Sequence, residues 1–213
     1  MKVKVCGMTG ADNLSEVIGC SPDLVGFIFY EKSSRNVVDL EVVNQEINGC
    51  KKVGVFVNED MDNIKNLSKT YKLDYVQLHG DESPEYCKKL KTNGNRVIKA
   101  FSVAEDFDFS QLESFVPFVN YFLFDTKGKK RGGNGTKFNW KILDLYKLNI
   151  PFFLSGGISA EDVELIKSFE HPQLYAIDIN SGFEVSPGMK DSIKVRDFIH
   201  QLNNVIIREE QTK

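Results

Sequence analysis

Eight short apolar runs, spaced roughly 20–30 residues apart, constrain this chain more than any other feature. They are Val3–Cys6, Leu24–Phe29, Lys52–Val57, Tyr75–His79, Val97–Phe101, Tyr121–Asp125, Pro151–Ser155 and Leu174–Ile179. Most are near-continuous in Val, Ile, Leu and Phe rather than alternating, the pattern of parallel strands covered on both faces. Helix signals fall between them. Ser83-Pro84 offers an N-cap with a first-turn proline, and Ser159 with Asp162 offers a capping box. In Asp191–Leu202, the residues Ile193, Phe198, Ile199 and Leu202 recur at helical spacing. The spacing is that of βα units, and eight of them in 213 residues predict an α/β fold: a (βα)8 TIM barrel, one domain over residues 1–213. A doubly wound open sheet fits less well. Gly7-Met8-Thr9-Gly10 does not complete a dinucleotide fingerprint, and the segment from Gly128 to Lys137 does not make a phosphate loop.

Polar residues are rare inside covered strands, so the interruptions carry information. Cys6, His79 and Asp125 end their runs and Asp178 stands near the end of the eighth. All four fall at C-terminal strand ends, the face where barrel enzymes place their chemistry. Counting back by twos from Cys6, His79 and Phe101 gives Lys4, Gln77 and Lys99. If those faces look inward, a polar layer lies below the mouth; the plain alternative is that both lysines snorkel to the far end. Each residue also has an ordinary reading, as core thiol, turn cap or packed imidazole. Together on one rim they favour a site.

Two glycine-bearing turns follow the seventh and eighth runs: Ser155-Gly156-Gly157-Ile158-Ser159 and Asp178-Ile179-Asn180-Ser181-Gly182. Loops seven and eight are the usual phosphate grip of a barrel, with a short helix after strand eight aiming its N-terminus at the anion. The segment Thr126–Thr136, rich in glycine and carrying Lys127, Lys129, Lys130 and Arg131, suits a lid over an anion. A net charge of −3, from 27 basic and 30 acidic residues, argues against a nucleic-acid partner. No apolar run is long enough to span a membrane, and no signal peptide is visible, so a cytoplasmic location is expected. Cys6, Cys20, Cys50 and Cys87 lie far apart, and with three histidines they suggest no metal centre.

KVCGMT at the first strand, SSRNV after the second, GVFVN at the third and QLHGDE at the fourth form an ordered series. FDT with GGNGTKFNW at the sixth, LSGGI at the seventh and DINSGFEVSPGMKD at the eighth complete it. In these motifs the chain resembles the phosphoribosylanthranilate isomerases of tryptophan biosynthesis. The resemblance implies a cofactor-free Amadori rearrangement of N-(5-phosphoribosyl)anthranilate to 1-(2-carboxyphenylamino)-1-deoxyribulose 5-phosphate. It implies Cys6 as the base at the sugar C2 and Asp125 as the acid at the ring oxygen. It places Arg35 near the anthranilate, His79 and Asp178 in the pocket, and Gly156, Gly157, Asn180 and Ser181 at the phosphate. Asn180 stands where the family more often has Ser, and Phe183 where an aliphatic residue is usual. For this chemistry the thiol, ordinarily titrating near ~8.5, has to be pulled down, and Asp125 has to arrive protonated.

Two other readings stay open at the level of sequence: a sugar-phosphate aldolase or lyase forming an imine on Lys99, and a barrel kept as a binding module. The resemblance is compatible with a monomer or a homodimer, the monomer being favoured.

Overall fold

In a computed structural model of the chain, which describes residues 1–126 and 140–204, the apolar runs pair in sequence order and the last returns to the first. The strands are β1 (Lys2–Cys6), β2 (Leu24–Ile28), β3 (Lys51–Phe56), β4 (Tyr75–Leu78), β5 (Val97–Val103), β6 (Tyr121–Thr126), β7 (Phe152–Leu154) and β8 (Leu174–Ile179). Each is parallel to the next, and Lys4 of β1 lies opposite Asp178 of β8, which closes the barrel. The helices are α1 (Ala11–Gly19), α2 (Glu41–Asn44), α3 (Met61–Thr70), α4 (Pro84–Thr92), α5 (Val163–Ser168) and α6 (Ser192–Asn203).

The capping signals act as expected. Ser83 accepts from the Tyr86 N–H ahead of Pro84, and Asp162 accepts from the Ser159 N–H at 2.8 Å. Asp191 caps α6 by accepting from Lys194 N–H. In α6 the buried face is Val195, Phe198, Ile199 and Leu202, whereas Ile193 is 61% exposed, so it stands off the stripe the sequence assigned to it. After β5 the connection is a 3₁₀ segment, Phe109–Phe118, rather than an α-helix, and among the described residues between β6 and β7 the helical segment is likewise 3₁₀, Trp140–Leu145. Pro117 lacks the N–H an α-helix would need at that point. A hairpin that the sequence did not reveal, β9 (Glu184–Ser186) with β10 (Met189–Lys190), leads from β8 into α6.

The barrel interior is a small cluster, with Val53, Val55, Tyr75, Ile98, Ala100, Leu123, Phe153 and Ala176 among its members. Below it Tyr121 packs on Tyr175 and Phe153, their ring centroids 4.4 and 5.4 Å apart, and these aromatics fill the floor. Ile98 and Ala100 set the inward parity of β5, so Lys99 and Phe101 face the helices. The polar inner layer is therefore Lys4 and Gln77, not Lys99. Neither lysine reaches for the far end: Lys4 binds Asp178 near the top of β8, and Lys99 binds the turn after β4.

Candidate active site

Cys6 is placed by a glycine across the strand pair. Gly26 stands opposite it on β2, and a Cβ there would come within 2.8 Å of Cys6 Sγ and 3.2 Å of Lys4 Cε. The missing side chain is what gives the thiol and the lysine their space. Lys4 Nζ donates to Asp178 Oδ1 at 3.0 Å, and both residues are buried. Burial pulls the Lys4 ammonium down, but Asp178 and Cys6 outweigh it and hold it charged. Burial pushes the Asp178 carboxyl up against the pull of Lys4; Asp125 adds to the rise and His79 opposes it. The contact is that of a charge-assisted hydrogen bond between ammonium and carboxylate.

The thiol differs from what the chemistry asked of the sequence. Burial pushes Cys6 up, Lys4 and Lys190 pull it back, and Asp178 adds to the rise. Fewer molecules then hold the thiolate at neutral pH, but the thiolate that forms is a stronger base for a carbon-bound proton.

His79 follows β4, its N–H donating to Phe56 O at 2.8 Å. Its Nε2 lies 3.5 Å from Asp125 Oδ2, and both side chains are about one-third exposed, at 33% and 31%. Asp178 feels the charges of both, so this carboxylate of β8 links Lys4 and Cys6 of β1 to Asp125 of β6 and to His79 at the end of β4.

Arg35 sits on the turn after β2, which folds back so that Val37 N–H reaches Ile28 O and Tyr30 N–H reaches Asn36 Oδ1. Its Nε and Nη2 hold Glu184, the Nη2–Oε2 contact being 2.6 Å. Glu184 also takes Lys190 Nζ at 2.6 Å, and Lys190 in turn donates to Asn180 Oδ1 at 2.7 Å. At Glu184 burial is outweighed by Arg35 and Lys190, which hold the carboxyl below its usual range; burial pulls Lys190 down. Gly7, which follows Cys6 and has φ +81, leaves room for Arg35 and Asn180, since a Cβ there would lie 3.0 Å from both Arg35 Cδ and Asn180 Oδ1. Glu184 and Lys190 were missed by the sequence reading. Their only signal was two charged residues in an otherwise uncharged stretch, and nothing there says that Arg35, 149 residues away, is their partner.

The two glycine turns come together. Gly156 and Gly157 have φ of +95 and +65, and among the described residues, its two chain neighbours aside, no atom lies within 4 Å of where a Cβ of Gly157 would stand. A Cβ on Gly182 would run into Ile158 O, so the glycine is what lets turn eight lie against turn seven. Ser181–Phe183 is a single 3₁₀ turn, anchored by Phe183 against Phe198 at 4.8 Å. The Asn180 side-chain oxygen is taken by Lys190, which leaves its Nδ2 donors and its backbone to the grip. The lid expected at Thr126–Thr136 falls on residues 127–136, outside the described residues, except that Thr126 ends β6.

Lys99 has no role in the chemistry as an imine-forming amine. It is 2% exposed on the outer face of β5, and Glu82, Gly80 O and Ala100 O hold its ammonium at 3.0, 2.7 and 3.2 Å. An imine needs a free lone pair and an open approach, and this nitrogen has neither. Among the described residues no group of His, Cys, Asp or Glu is arranged to hold a metal ion, and no helix is long and apolar enough to cross a membrane.

Residues 3–201 match the family described as N-(5'-phosphoribosyl)anthranilate (PRA) isomerase. An enzyme of that name from Parabacteroides distasonis is 46% identical over 206 residues, covering 95% of this chain and 93% of the relative. The crystal structure of phosphoribosyl anthranilate isomerase from Thermotoga maritima superposes with a TM-score of 0.85 at 32% identity, covering 96% and 100% of the two chains. A phosphoribosyl anthranilate isomerase solved in complex with reduced 1-(o-carboxyphenylamino)-1-deoxyribulose 5-phosphate gives 0.80 at 30%, with coverage of 96% and 100%. With its barrel and nearly its full length matched, the chain belongs to the N-(5'-phosphoribosyl)anthranilate isomerase family and is an isomerase of tryptophan biosynthesis.

Proposed function

We propose that the mouth of the barrel carries out this isomerisation with Asp125 as general acid and Cys6 as general base. Asp125 gives its proton to the furanose ring oxygen, the ring C–O bond breaks, and an iminium forms between C1 and the anthranilate nitrogen. The Cys6 thiolate then takes the C2 proton, and the electron pair of that C–H bond moves to quench the iminium. The enolamine becomes the ketone as its C2 hydroxyl loses a proton and C1 gains one. Two protons are given and two removed, so the rearrangement needs no external reductant or oxidant. Proton transfers of this kind are each worth about 10²–10⁴ in rate.

The observation that carries the reading is Asp178. It binds the lysine that favours the Cys6 thiolate, and it also feels the charge of Asp125. The lysine beside the base and the acid thus both act on one buried carboxylate. The phosphate fits the paired turns, where Gly157 faces open space and Gly182 brings backbone to backbone. Arg35, braced by Glu184, keeps its Nη1 donors for the anthranilate carboxylate beyond a long 3.5 Å contact to Ser34 Oγ.

Asp125→Asn tests the acid half. It should lower kcat by about 10²-fold or more with KM nearly unchanged, because an amide cannot deliver the proton. Wild-type kcat in the folded variant would remove Asp125 from the mechanism. For the grip, Gly157→Val should raise KM for substrate and weaken competition by inorganic phosphate, since its side chain enters the open space beside the backbone N–H. An unchanged KM would move the phosphate elsewhere.

A further inference from the structure

Strand β4 turns Tyr75 and Gln77 toward the barrel interior, and His79 follows at its end. Gln77 is 1% exposed. Its amide Nε2 lies 3.0 Å from His79 Nδ1, while its Oε1 is buried and meets no hydrogen-bond partner among the described residues. A primary amide nitrogen has only hydrogens to offer, so Nδ1 is the acceptor, and the single hydrogen of the neutral ring sits on Nε2. That Nε2 is the atom 3.5 Å from Asp125 Oδ2.

We propose that Gln77 is a positioning residue that locks His79 in its Nε2–H tautomer, so that the imidazole offers Asp125 a donor and never a lone pair. The proposal rests on the reading of Asp125 as the acid. Imidazole is ordinarily a stronger base than a carboxylate by about two to three pH units. A ring with its Nε2 lone pair facing protonated Asp125 would take the proton before the substrate oxygen could. With the hydrogen on Nε2 that transfer has no acceptor. Once Asp125 has given its proton to the ring oxygen, the same N–H faces a fresh carboxylate. At 3.5 Å the contact is longer than a formed hydrogen bond, so it can tighten as the charge appears. The partnerless Oε1 supports this role over packing, since methionine or leucine would fill the same space with no orphaned oxygen.

The chain has three histidines, so long-range ¹H–¹⁵N correlation on the full-length labelled enzyme resolves every ring, with His79→Gln assigning the signal. In the neutral ring the wild type should show His79 protonated on Nε2 and accepting at Nδ1. Gln77→Glu offers Nδ1 an acceptor in place of a donor; it should move the hydrogen to Nδ1 and lower kcat about tenfold or more with little change in KM. If a buried glutamate prevents folding, Gln77→Met keeps the volume and removes the lock, and it should lose kcat by about fivefold to tenfold and gain a detectable Nδ1–H population. A wild-type His79 protonated on Nδ1, or a folded Gln77→Met with wild-type kcat, would overturn the proposal. Failure of the acid assignment is seen separately: an active Asp125→Asn enzyme would sink that reading while leaving the His79 tautomer as measured.

Discussion

Lys4 with Asp178, and Lys99 with Glu82, are two buried ion pairs of equal length, 3.0 Å each, on opposite sides of the same barrel wall. Outside, every valence is used. Lys99 reaches Gly80 O and Ala100 O besides its carboxylate, and Glu82 also accepts from the N–H groups of Asn58 and Gly80. That pair sews the β4 turn to β5 and leaves nothing to offer a ligand. Inside, Lys4 leans on a thiol as well as a carboxylate, and among the described residues Asp178 hydrogen-bonds Lys4 alone. A buried charge marks a reactive site when its partners leave it chemistry to do; burial and charge by themselves do not.

Removing one lysine from each pair should separate the two roles. Lys4→Met is expected to have the largest effect, a fall in kcat of about 10²-fold or more, because the Cys6 thiolate loses its nearest cation. Lys99→Met should leave kcat within about threefold in the folded enzyme, yet remove about 3–5 kcal/mol of stability by stranding Glu82. Steady-state kinetics with urea unfolding on both variants decide the matter. A large kcat loss in Lys99→Met with normal stability would erase the distinction, and so would borohydride trapping of substrate on Lys99.

Much of this contrast was beyond the sequence. Strand positions were legible because covered parallel strands are apolar on both faces, so Cys6, Asp125 and Asp178 stood out as exceptions. Which way Lys99 faced was not. Counting back from Phe101 assumed that this residue looks inward, whereas β5 runs on to Val103 and takes its parity from Ile98 and Ala100. The hairpin holding Glu184 and Lys190 has strands of three and two residues, too short to show a period. The bracing of Arg35 by Glu184 joins distant segments and becomes visible only once the barrel closes.

Glu184 supplies a third carboxylate held by cations, half-buried at the rim, and sharpens the comparison through pH. Arg35 and Lys190 hold its carboxyl below the usual range, so its unfolded value, about 4.3, is the higher one. The stability it contributes is present above that value and is lost as pH falls through the depressed folded value. Wild type should therefore lose stability more steeply than Glu184→Gln as pH falls below about 4.3, the smallest effect of the set. Parallel curves in urea unfolding would show that the rim chain adds nothing.

The inside pair matters only if the thiol beside it takes the C2 proton. Cys6→Ala, with a wild-type circular dichroism spectrum and unfolding midpoint, tests that claim most directly by its kcat. The account predicts a drop of about 10²–10⁴ with KM changed little, because the thiol moves a proton and does not hold the substrate. Wild-type turnover in that folded variant would contradict it, leaving Cys6 a buried filler and Lys4–Asp178 a structural pair like its counterpart outside the barrel.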